Sequence, residues 1–224
     1  EPFYCGTYFP REYFQRLVAG VAKAWREDRD SVIGQAGRIA AALAERAAPL
    51  RGQAPAAGLA ALCDQAVATL AADYDSQRGG FGGAPKFPPS MVIEFLLRRH
   101  ARTGAEGALQ MAVDTCERMA RGGIYDHLGG GFARYSVDRE WVVPHFEKML
   151  YDNALLCRVY AHLWRSTGSE LARRVALETA DFMVRELRTG EGGFASALDA
   201  DSDDGTGRHV EGAYYAWTPQ QLTE

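Results

Sequence analysis

Apolar residues recur at helical spacing over most of the chain. Phe14, Leu17, Val18, Val21 and Trp25 predict a helix over about 11–29. Val32, Ile39 and Leu43 continue the pattern, with Asp30 or Ser31 as cap, and predict a second helix over about 30–47. Ahead of them, residues 3–9 (FYCGTYF) are aromatic and β-prone and predict a strand that ends at Pro10. RGQAPAAG (51–58) is a Pro/Gly/Ala linker and marks a domain boundary. Beyond it the periodicity predicts helices near 58–74, 90–103, 106–121, 145–167 and 169–189. Thr218 and Pro219 read as the cap and first residue of another.

The connections alternate in length. Thr103-Gly104-Ala105 and Thr167-Gly168-Ser169 are tight turns, whereas 76–89, 122–144 and 190–217 are long loops. In an up-and-down array every second connection lies at the same end, so the long loops crowd one face. They also resemble one another: GGFGG (79–83), GGI (122–124) with GGGF (129–132), and GGF (192–194). Fifteen of the chain's 24 glycines fall in these loops. A Gly-Gly-aromatic signature recurring with each helical hairpin indicates a repeat. Hairpins repeating around an axis form an α/α toroid, of which 58–224 supplies about three hairpins, or half. The uncovered apolar faces of such a half are expected along 58–74 and 169–189.

Composition narrows the class. Hydrophobic residues make up 47%, enough for a core, and no apolar run approaches the length of a membrane span. With 25 basic and 29 acidic residues the net charge is −4, which argues against nucleic acid as a partner. Cys5, Cys63, Cys116 and Cys157 form no CxxC pair and no zinc spacing, so they read as reduced thiols of a cytoplasmic protein, the last three inside helices. The chain begins at Glu1 without Met or signal peptide and stops within a turn of its last predicted helix, so both ends read as cut.

The densest chemistry is Asp126-His127 followed by His145, Glu147, Lys148 and Asp152. Pro144 puts His145 at a predicted helix N-terminus, where the helix dipole disfavours imidazolium and suits the ring to act as a base. On that helix His145, Lys148 and Asp152 would share a face, with Lys148 and Asp152 as an i,i+4 pair. Asn153 lies near the buried stripe and reads as a buried hydrogen-bonding group. Each of these also has an ordinary structural reading, as a cap, a surface pair or a brace for a Gly-rich turn. What favours chemistry is their gathering at one face with Tyr125, Tyr135 and Trp141, because aromatic rings beside acids and imidazoles suit sugars. Lys86 and Phe87 are placed at the rim, and Arg134 pairs Asp138 or holds an anionic group.

Asp199, Asp201, Asp203 and Asp204 only superficially resemble a calcium loop, because Gly205 falls at position 7 and Val210 at position 12. Asp199 and Asp201 remain the best pocket candidates there. GGFGGAPKF (79–87) lacks the ending of a phosphate loop. No metal and no cofactor is expected. Hydrolysis of a glycoside would draw two carboxylates from Asp126, Glu147, Asp152, Asp199 and Asp201. Epimerisation would use the imidazoles of His145 and His127 for proton transfer.

The strings GGFGGAPKFP (79–88), GGIYDHLGGGFARYSVDREWVVPHFEKMLYDNALL (122–156) and ASALDADSDDGTGRHVEGAYYAWT (195–218) resemble the spermatogenesis-associated protein 20 family. That resemblance implies a thioredoxin-like domain followed by a domain similar to (α/α)6 six-hairpin glycosidases and N-acylglucosamine 2-epimerases. It reads 1–50 as the end of the thioredoxin-like domain, 51–57 as linker and 58–224 as the first half of the barrel, so the fold is mainly α. Cys5 stands where the family usually has Gly, and the redox segment would lie upstream of Glu1. A sugar-like small molecule is the implied ligand, no membrane is implied, and the remainder of the polypeptide completes the barrel. The alternative is a non-catalytic binding or scaffold module attached to a thiol-redox domain.

Overall fold

The structure, a computed structural model, describes residues 4, 6, 8–47 and 58–223. They form two compact units, Glu1–Gly58 and Leu59–Glu224. In the first, α1 (Arg11–Glu27) packs on α2 (Arg29–Ala47). The cap of α2 is Asp28, whose carboxylate accepts from Ser31 N (3.3 Å), rather than Asp30 or Ser31. Ala36 is buried, but Phe14, Val18, Trp25 and Ile33 stay exposed around an apolar groove. Of the predicted strand, Phe3, Cys5 and Thr7 lie outside the described residues, and Tyr4, Gly6, Tyr8 and Phe9 are irregular. The linker 51–57 also lies outside them.

The second unit contains α3 (Leu59–Asp73), α4 (Ser90–Thr103), α5 (Glu106–Arg121), α6 (Leu150–Thr167) and α7 (Glu170–Phe182), the last continued by a π turn, Met183–Leu187. Both short turns end their helices the same way. Gly104 (φ 70) and Gly168 (φ 72) take the left-handed conformation, and their N–H groups bond His100 O and Trp164 O. The Ser169 hydroxyl then caps α7 through Ala172 N (3.3 Å). α4 packs on α5 and α6 on α7, while α4 also lies against α6. Ile93, Leu96, Met119, Leu156, Val159, Tyr160 and Val175 fill the core between them. Apolar surface stays open as expected on α3, which buries no residue, and at Leu177 and Val184.

The long loops fold down onto the helices and onto one another, which explains some of their glycines. A Cβ at Gly131 (φ 80) would lie 2.5 Å from the Phe182 ring, and one at Gly80 (φ 79) 2.6 Å from the Trp141 ring. Short antiparallel ladders join the loops: β1 (Tyr135–Ser136) with β2 (Pro144–His145), β3 (Lys148–Met149) with β4 (Ala197–Leu198), and β5 (Asp201–Asp203) with β6 (His209–Glu211). These ladders correct one prediction. The helix expected from 145 begins at Leu150, and 144–149 is extended chain, with Tyr135 opposite His145 and Lys148 opposite Leu198. Residues 219–223 form turns rather than a helix, and Thr218 Oγ1 accepts from Gln221 N (3.3 Å).

Candidate functional site

Extended chain at 144–149 sends successive side chains to opposite sides. Pro144, Phe146 and Lys148 therefore line a pocket of about 390 Å³, together with Tyr125, Asp126, His127 and the aromatic run Tyr214, Tyr215 and Trp217. His145 and Glu147 go to the other side. The helical reading that grouped His145, Lys148 and Asp152 on one face is thus replaced by two separate groups.

In the pocket, Lys148 is 3% exposed and donates to Asp126 Oδ2 (2.7 Å) and Gly130 O (3.0 Å), not to Asp152. Its Nζ also lies over the rings of Phe182 (4.5 Å) and Tyr215 (4.7 Å). Burial alone would raise the Asp126 carboxyl, but Lys148 and the N–H groups of Gly129 and Leu128 hold it below the carboxylate range. Tyr125 donates to Glu178, and the His127 ring contacts Gly122 O through Nε2 (3.0 Å). Asp126 and His127 thereby brace the Gly-rich turn, and Tyr125 ties it to α7.

On the other side, Arg134 Nη1 donates to Glu147 Oε2 (2.6 Å). His145 Nδ1 lies 2.7 Å from Glu211 Oε1, and its Nε2 lies 3.8 Å from Glu147 Oε2. The Tyr135 ring stacks on the imidazole at 4.8 Å, and Phe87 packs on Tyr135 at 4.9 Å. Asp152, in the first turn of α6, is half-buried and in no ion pair among the described residues. Burial pushes its carboxyl up to about 6, with Arg134 opposing and Glu147 adding to the rise. A carboxyl raised in this way binds a proton on folding, so its contribution to stability declines as pH rises from about 4 to about 6. Asp152→Asn is expected to remove that decline. A wild-type carboxyl resonance titrating near 4 instead would show the group to be solvated.

Other predicted site residues lie elsewhere. Lys86 is 1% exposed, beneath the surface rather than at a rim, and Trp141 is 0% exposed and offers no open platform. Lys86 donates to Asp75, and Trp141 Nε1 donates to Arg78 O (3.0 Å). Arg134 pairs Glu147, while Asp138 caps its own loop through the N–H groups of Glu140, Val142 and Val143. Asp199 and Asp201 are exposed at and beside the β5–β6 hairpin, and Asp199 accepts from Asp201 N (3.2 Å). Glu211, Phe146 and Tyr214–Trp217 were not among the expected site residues, yet they line these two groups. The string AYYAW (213–217) was the available signal for the aromatic wall. Cys63, Cys116 and Cys157 are free thiols, and Cys116 is fully buried. Among the described residues no helix is long and apolar enough to cross a membrane.

No family model matches the chain. Its fold is shared with a sugar epimerase from a ruminal bacterium (TM-score 0.54, 18% identity, 59% of this chain and 37% of that one). A cellobiose 2-epimerase from Spirochaeta thermophila DSM 6192 is similar at TM-score 0.52 (22% identity, 65% of this chain and 42% of that one). The fold is therefore mainly α and part of an (α/α)6 toroid. In sequence the chain is 38% identical, over all of its length, to spermatogenesis-associated protein 20 of Homo sapiens and of Mus musculus. It spans 30% of the length of these curated relatives. At 38% identity over all of the chain, and with a toroid fold in common with the sugar epimerases, the chain resembles the spermatogenesis-associated protein 20 family along its whole length.

Proposed function

We propose that the second unit supplies one wall of a sugar site that transfers protons, centred on His145, Glu147 and Asp152. The observation that carries this reading is the extended run 144–149. It turns an imidazole and a carboxylate to one side, where Arg134 and the Tyr135–Phe87 rings meet them and Asp152 lies within electrostatic reach of Arg134 and Glu147. Glu211 accepts from His145 Nδ1, which leaves Nε2 free to take a proton from a carbon acid. Asp152, raised toward neutrality, is suited to return one. The aromatic pair offers a platform for an apolar sugar face. These features support epimerase-type chemistry in a carbohydrate-related toroid, and the sugar epimerase neighbours share the fold. The remainder of the longer polypeptide would complete the barrel. Residues 1–50 would close a thioredoxin-like domain, and the free thiols fit a cytoplasmic setting.

A specific observation favours a binding or scaffold module instead: Glu147 is already neutralised by Arg134. A thermal-shift screen of the full-length protein against sugars and amino sugars, with His145→Ala and Glu147→Gln in parallel, separates the readings. A hit raises the melting point by mass action. Epimerase chemistry predicts a hit lost or weakened in His145→Ala, and exchange of a sugar C–H with deuterated solvent by the wild type. Binding without exchange favours the module, and no hit with well-folded proteins rejects a sugar site.

A further inference from the structure

α4 and α6 run side by side, with their core faces covered by α5 and α7. The face they share away from that core holds a second cleft, of about 260 Å³, lined by Glu94, Arg98, His162, Arg165 and Ser166. His162 is ten residues beyond Asp152 along α6, roughly 15 Å at 1.5 Å per residue. The cleft therefore lies well below the His145 cluster, toward the short-turn end of the unit.

At its floor Glu94 is 4% exposed. One carboxylate oxygen accepts from Arg98 Nε (2.6 Å), and the other lies 2.8 Å from His162 Nδ1. An ionised carboxylate only accepts, so His162 Nδ1 carries a proton and the ring orientation is set. That leaves Nε2 as the atom available to the cleft. Arg98 spends only Nε on Glu94, which frees the two terminal nitrogens of a mostly exposed guanidinium. The side chains of Arg165 and Ser166 have no hydrogen-bond or ion-pair partner among the described residues. Arg158, exposed on the same face of α6 one turn before His162, adds its charge to the field at Glu94. Three guanidiniums thus share this face with a single buried carboxylate, in a chain whose net charge is −4. A pair that merely joined two helices would not need the two further arginines or the open volume between them.

We propose that the α4–α6 cleft is an oxyanion site, which takes a phosphate-type group of a small molecule through Arg98, Arg165, Ser166 and the Glu94-oriented His162. Glu94 is a positioning residue: it aims the imidazole and one guanidinium at the anion. Guanidinium geometry suits two oxygens of one phosphate, and such charge-assisted bonds are about twice as strong as neutral ones.

Calorimetric titration of the full-length protein with inorganic phosphate at low salt tests the site. Glucose 6-phosphate and glucose are run in parallel. Arg165→Glu changes an exposed, unpaired residue and is expected to keep the melting point without phosphate while weakening phosphate binding by about tenfold or more. His162→Gln is expected to weaken it as well. Equal affinity for phosphate and the ester indicates a free-anion site, and tighter binding of the ester a phospho-sugar site; both support the proposal. Binding that survives His145→Ala but fails in Arg165→Glu separates this cleft from the proposed sugar site. Binding unaffected by Arg165→Glu, or no phosphate binding by the folded wild type, overturns it.

Discussion

Lys86→Met is expected to lower stability by about 3–5 kcal/mol, because it leaves a buried carboxylate without its main counter-charge. The Lys86 side chain is fully buried, and Asp75, its partner, is 5% exposed. The ammonium donates to Asp75 Oδ2 (2.9 Å), Gly79 O (2.7 Å) and Arg139 O (3.1 Å). One lysine therefore ties the start of the first long loop to its own end and to the second long loop. Methionine fills a similar volume, so the loss is electrostatic and not a cavity. Arg139 still reaches Asp75 (2.8 Å) but is half-exposed and recovers only part of it. Urea unfolding followed by tryptophan fluorescence measures the effect, since Trp141 packs over this lysine at 5.4 Å. A loss below about 1 kcal/mol would mean that water reaches the pair. Adding Asp75→Asn to Lys86→Met should restore part of the stability, as removing both charges costs less than stranding one.

Asp126→Asn has the second large expected effect, about 3 kcal/mol, because the buried Lys148 then keeps only Gly130 O and two aromatic faces. The loss is coupled to the partner. Lys148→Met alone is expected to cost about as much, and the double variant clearly less than the sum of the two. Additive effects would show that the pair is not the interaction holding the turn. Because Lys148 also forms part of the aromatic pocket, both variants should change the near-ultraviolet signal of Tyr215 and its neighbours. Asp126 and Asp75 both sit below the ordinary carboxylate range when folded, although burial opposes this at each. Their contributions are complete above the unfolded carboxylate pKa of about 4 and are lost as pH falls through the lower folded values. Asp152 acts in the opposite direction between about 4 and about 6, so the acid limb and the neutral limb of the stability curve belong to different carboxyls.

Much of the scaffold was legible from local pattern. The helices expected over 90–103 and 106–121 are Ser90–Thr103 and Glu106–Arg121, since apolar spacing and the glycine stop at Gly104 are information held within a few residues. The glycine-rich loops were legible too, although their reason was not. Gly131 and Gly80 are required by Phe182 and Trp141, which lie 51 and 61 residues away. The site was legible as a set of residue types and not as an arrangement. PHFEKM (144–149) carries a helix-compatible pattern, but its backbone bonds go to chain near 135 and 197, so an extended conformation prevails and side chains divide by a period of two. That division separates His145 and Glu147 from Lys148, and it sends Lys148 to Asp126 instead of to Asp152. Lys86 looked like a rim residue because burial of a lysine depends on partners such as Asp75 and Arg139 that only folding delivers. The Glu94–His162 contact, 68 residues apart, likewise exists only because α4 and α6 lie side by side. Local periodicity and turn chemistry thus determine which segments are helical and where glycine must stand. Long-range pairing decides which charged groups are buried and which face a ligand, because each of those outcomes depends on a partner distant in the chain.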